Sequence, residues 1–134
     1  MERVGFHTPG TLNPSRAALA ERCYAAGFHA LANGDLSAGA RWFGLLALLE
    51  PRRERSWAGL AVAHERSGKL ALAAALYTVG QRVSGASAWL ELGYARTLRA
   101  LGRTREAERA FDSAAALSDT TSLTNAIEEE RCPR

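Results

Sequence analysis

The chain has 134 residues, a formal net charge of +3, and 47% hydrophobic but only 7% aromatic residues, which is the size of one domain. Ala and Leu carry the apolar content, which favours helices packed through small side chains over a sheet core of Val, Ile and Tyr. Its basic residues are nearly all Arg, with Lys69 the sole lysine, and they are interleaved with Glu throughout, the pattern of a solvated surface rather than of a nucleic-acid-binding stripe.

Residues 1–13 hold Gly5, Pro9, Gly10 and Asn13 with no helical period, and read as a flexible arm. The opening MERVGFHTPG lacks the apolar run of a secretory signal. A first helix is predicted over residues 14–32, capped by Asn13 or Ser15, with Pro14 in its first turn and Leu19, Cys23, Ala26 and Ala30 at helical spacing. Asn33 and Gly34 end it, the glycine supplying a left-handed C-terminal turn. The second helix covers residues 36–49 and is stopped by Pro51. Two further pairs follow: residues 54–66 with 70–83, divided by Ser67 and Gly68, and residues 87–101 with 104–117, divided by Gly102. Thr121 or Ser122 then caps a short helix over residues 123–131. Leu123, Ala126 and Ile127 of that helix cover the apolar edge of the last pair. Glu128 to Glu130 are expected in solvent, at the end disfavoured by the helix dipole, where fraying is predicted.

Three stretches repeat: GDLSAGARWF from Gly34, GKLALAAALY from Gly68 and GRTREAERAF from Gly102. Both steps are 34 residues. Each copy has a turn Gly, a small residue (Gly39, Ala73, Ala107) and an aromatic four residues later (Phe43, Tyr77, Phe111). A fixed period of this length marks a stacked repeat, and 34 is the tetratricopeptide period. On that period the units are about 20–53, 54–87 and 88–121, leaving residues 122–134 as capping helix and tail. Gly27, Ala61 and Ala95 stand at the small position of helix A. Trp57 and Leu60 match the large positions in the second unit, while Ala26 and Tyr94 replace Leu in the others. The fold class read from these features is all-α: a right-handed superhelical stack of three tetratricopeptide helix pairs with a C-terminal capping helix.

Within the first two units, RWFGLLALLEP followed by SWAGLAVAHERSGKLALAAALYTVG resembles the tetratricopeptide chaperones of bacterial type III secretion, of the translocator-binding class. The resemblance implies a small cytoplasmic chaperone whose client is a secreted translocator-type protein, and a homodimer through the N-terminal region. It also implies that helix A lines a concave face. Its inward positions, carried over by alignment, are Glu21, Tyr24, Phe28, Leu31 and Ala32 in the first unit, Arg55, Ala58, Val62, Glu65 and Arg66 in the second, and Trp89, Leu92, Arg96, Arg99 and Ala100 in the third. Helical geometry groups them independently, because Tyr24, Phe28 and Leu31 follow i, i+4, i+7, as do Ala58, Val62 and Glu65, and Leu92, Arg96 and Arg99.

The expected peptide-binding residues are therefore Tyr24, Phe28, Leu31, Ala58, Val62, Glu65, Arg66, Trp89, Leu92, Arg96 and Arg99. The groove is aromatic at one end, small in the middle and Arg-rich at the other, with Arg66, Arg96 and Arg99 available for peptide carbonyls or acidic flanks. In the alternative reading, the arm or a second copy covers Tyr24 and Phe28, and the chain is a scaffold or regulatory adaptor. The run Arg52 to Arg55 reads as a solvated turn with local ion pairs.

No enzyme is expected. His7, His29 and His64 are the only histidines, and no G-x-S-x-G, H-E-x-x-H or P-loop spacing occurs. His64 falls where an aromatic packs between helices. Cys23 and Cys132 have neither CxxC spacing nor a His pair, so no metal, disulfide framework or cofactor is expected. No apolar run is long enough to span a membrane. Tetratricopeptide adaptors for the tails of heat-shock chaperones carry Lys and Asn where this chain has Tyr24 and Phe28, which disfavours that function.

Overall fold

The computed structural model describes residues 14–132; the arm expected over residues 1–13 lies outside them. Among the described residues there are seven helices and no strand: α1 (Pro14–Ala32), α2 (Leu36–Leu49), α3 (Glu54–Arg66), α4 (Leu70–Ser84), α5 (Ala88–Ala100), α6 (Thr104–Leu117) and α7 (Thr121–Arg131). Each helix packs on the next, and the odd-numbered helices also touch in succession. The result is three antiparallel pairs stacked side by side, with the odd helices forming one layer and the even helices the other.

Identical turns close the three pairs. The N–H groups of Asp35, Lys69 and Arg103 donate to the carbonyls of Ala30, His64 and Leu98, each at 2.9 Å. This six-to-one bond requires a left-handed residue, and Gly34, Gly68 and Gly102 supply it with φ of 77°, 81° and 79°. The second unit is tied to the first by a hydrogen-bonded corner. Ser56 Oγ donates to the Glu50 carbonyl at 2.9 Å and Trp57 Nε1 to the Pro51 carbonyl at 2.7 Å.

Register between units is set by an interlock of aromatic on glycine. The Phe43 ring of α2 lies against Gly59 of α3, where a Cβ would stand 2.2 Å from the ring. The same contact recurs 34 residues on, with Tyr77 of α4 against Gly93 of α5 and a Cβ distance of 2.3 Å. Both aromatics are buried. At the third recurrence Phe111 meets Ile127 of α7, and the two are fully buried in one cluster with Leu98, Ala114 and Leu123.

α7 therefore takes the place of helix A in a fourth unit, touching α6 and α5 as α5 touches α4 and α3. It begins two residues earlier than expected because Thr120, not Thr121 or Ser122, accepts the Leu123 N–H at 3.1 Å. Its last turn also departs from expectation. Glu128 and Glu129 are exposed, but Glu130 turns toward Arg96 and Arg99. Arg131 pairs with Glu108 at 2.8 Å and Asp112 at 2.6 Å. These ties oppose the fraying that charge on the helix dipole alone would give.

Candidate functional site

The odd helices curve around a groove of about 1110 Å³. It is lined by Tyr24, Phe28 and Leu31 of α1, Ala58, Val62, Glu65 and Arg66 of α3, and Trp89, Leu92 and Arg96 of α5. The structure thus brings ten of the eleven expected residues into one concave surface. Arg99, the eleventh, is turned toward α7 and lies over the Phe111 ring, 5.2 Å from its centroid.

Sequence reasoning missed the floor of this groove. Gly59 and Gly93 lack side chains, so Phe43 and Tyr77 reach through from the second layer and line it from behind. A glycine at the same place in two successive helix interiors, where it costs helix stability, was the available signal.

The α1 end is apolar. Tyr24 packs edge-on to Phe43, with ring centroids 6.0 Å apart, and 6.3 Å from Phe28. Phe28 is 62% exposed, and Trp89 of α5, which also lines the groove, is 53% exposed. Tyr24 is held from above by the Arg55 guanidinium, 4.5 Å from its ring centroid, a cation–π contact. Arg55 also reaches Glu50 at 2.8 Å and Glu21 at 2.6 Å. The Arg55 hydrogen bond holds the Glu21 carboxyl below its ordinary range. Arg55 is therefore not part of a solvated turn. It lies in α3, lines the groove and bridges α1, α2 and α3, because the buried Glu50 carboxylate requires a cation.

The α5 end is charged. Arg96 donates to Glu65 through Nε at 2.5 Å and Nη2 at 2.8 Å. Tyr77 donates its hydroxyl to Glu65 at 2.8 Å and accepts from Arg96 at 3.2 Å. Burial first, then the Glu65 carboxylate, pushes the Tyr77 phenol far above its usual range. Arg99 donates to the main-chain carbonyl of Glu130. Arg96 and Arg99 thus each have partners within the chain. Arg66 is exposed at the rim, its nearest acceptor the Leu31 carbonyl at 3.5 Å.

His64 is half-buried at the α3–α4 turn, and burial, then Lys69, lowers its pKa. His29 is exposed and shares a 2.9 Å hydrogen bond with Asn33. Neither histidine lines the groove. Among the described residues, no helix is long and apolar enough to cross a membrane.

No protein-family model matches the chain. No curated protein matches it at the level of sequence. Solved structures do match. The tetratricopeptide domain of Arabidopsis OM64 superposes with a TM-score of 0.75 at 15% identity, over 87% of this chain and 97% of that one. The Yersinia enterocolitica type III secretion translocator chaperone SycD, in an alternative dimer, superposes with a TM-score of 0.75 at 21% identity, over 89% and 98%.

The chain has the tetratricopeptide-repeat fold. SycD in complex with a peptide of the translocator YopD is similar over 90% of this chain and 100% of that one, with a TM-score of 0.74 and 21% identity.

Proposed function

We propose that this tetratricopeptide protein is a non-catalytic chaperone of type III secretion. It holds an extended segment of a hydrophobic, translocator-type client in the concave groove before export, in the bacterial cytoplasm, and pairs with a second copy through its N-terminal region. The observation that carries this reading is the apolar groove lining: Phe28 of α1 and Trp89 of α5 both line the groove and stand more than half exposed, where the fold gains little from them. Large exposed aromatics on a concave surface are the makings of anchor pockets for a bound chain. Burying about 100 Å² of an anchor side chain contributes roughly 2.5 kcal/mol, so two or three anchors reach micromolar affinity after ordering costs. The likeness to SycD, solved in complex with a peptide of the translocator YopD, supports peptide binding as the use of this fold.

A second reading, a general scaffold or regulatory adaptor, draws on the equally good superposition with the OM64 domain. A pull-down from the native cell, wild type beside Phe28→Asp, separates the two. Recovery of one or two amphipathic, membrane-destined proteins by the wild type alone is expected. The same partners in both samples would move the site off the concave face. Recovery of no partner but a second copy would favour the scaffold.

A further inference from the structure

Where α7 meets the groove, two guanidinium groups converge on one carboxylate. Arg96 Nη1 lies 3.6 Å from Glu130 Oε1, and Arg99 Nη2 lies 3.9 Å from Glu130 Oε2. Both separations exceed hydrogen-bond length, so the Glu130 carboxylate is attracted but not bonded. Its side chain is 38% exposed and lines the groove. The neighbouring Glu65 differs: it binds Arg96 in a two-pronged contact at 2.5 and 2.8 Å and is 16% exposed.

The two cations do not depend on the Glu130 carboxylate for their position. Arg96 is fixed by Glu65 and Tyr77, and Arg99 by the Phe111 ring and the Glu130 main-chain carbonyl. Rotation of the Glu130 side chain into solvent would therefore leave α7 docked and uncover a pre-oriented pair of guanidinium edges. Guanidinium geometry favours a carboxylate there.

We propose that this pair is a carboxylate subsite whose internal occupant is Glu130, and that an Asp or Glu side chain of the bound segment takes its place. The inference rests on the groove reading above and adds a chemical requirement to it: the client segment carries its apolar anchors toward Phe28 and an acidic residue at a fixed offset, over the third unit.

An amidated dodecapeptide library, which removes any terminal carboxylate, is selected on the full-length chain at low salt. Selected peptides that lose binding in Phe28→Asp are resynthesised as acid and amide twins, Asp against Asn or Glu against Gln. The acid twin is expected to bind the wild type about tenfold more tightly, and Glu130→Gln to widen that preference about threefold further. Glu129→Gln removes the same charge from a groove-lining residue that does not pair with the two arginines, and is expected to leave the preference unchanged. Twins that bind the wild type within about twofold of each other, or an equal response to Glu129→Gln and Glu130→Gln, would overturn the subsite while the groove reading stands. Selection of no peptide that depends on Phe28 would overturn both.

Discussion

At the α1 end of the groove Phe28 stands exposed beside Tyr24, with no polar partner to satisfy. At the α5 end Glu65, Tyr77, Arg96, Arg99 and Glu130 form one connected set that also joins α3, α4, α5 and α7. The difference teaches where binding and stability separate. A side chain that the fold leaves in water can be changed with little structural cost, whereas a member of a half-buried polar network cannot be removed without stranding its partners.

The largest expected effect tests what the two ends share, the aromatic-on-glycine interlock behind each. Gly59→Ala and Gly93→Ala each force a methyl into a buried ring and are expected to cost about 3 kcal/mol in urea unfolding. Gly39→Ala is the contrast. Its Cβ would meet the δ carbon of half-buried Leu31 at 2.5 Å, a flexible tip that can rotate away, so a change within about 0.5 kcal/mol is expected. Equal losses at all three sites would mean that the interlock is not what sets the register.

Next in size, Glu65→Gln leaves Arg96 and the Tyr77 hydroxyl poorly paired and is expected to cost about 2 kcal/mol by urea titration. A loss below about 0.5 kcal/mol would make the α5 end no more than a surface ion pair and erase the contrast between the ends. Phe28→Asp sharpens the comparison from the other side. Its stability is expected to fall by less than about 1 kcal/mol, the residue being exposed near a helix C-terminus, even though client capture is lost.

The smallest effect concerns His64. Its pKa in the folded chain is depressed below the ordinary 6.5 by burial and Lys69, so the unfolded chain binds more protons as pH falls past that value. Stability is therefore expected to decline from just above pH 6.5 downward until the folded-state pKa is passed, and His64→Gln to remove that portion of the pH profile in thermal melts. An unchanged profile would assign the acid response to the carboxylates, Glu21 among them.

Much of this was legible in the chain because turn glycines and a 34-residue recurrence are local signals. Gly34, Gly68 and Gly102 marked the pairs, and the i, i+4, i+7 spacing of Tyr24, Phe28 and Leu31 placed them on one stripe. Less legible were contacts made between units. Arg96 meets Glu65 across 31 residues and Arg99 meets Glu130 across the same separation, and no spacing rule within one helix reveals either. Arg55 was readable as an inward position of the second unit, but its bridging role depends on Glu50 being buried, which only packing decides.

The Phe43–Gly59 and Tyr77–Gly93 contacts also make the groove a surface measured in whole steps. Duplication of the second or third 34-residue unit would bring its own aromatic and its own glycine, lengthening the concave wall by one helix while preserving both ends. Insertion of another length between Phe43 and Gly59, or between Tyr77 and Gly93, would move the ring off its glycine. Growth or shortening of this binding face by recombination is therefore discrete, and the length of chain that it can embrace changes in increments rather than continuously.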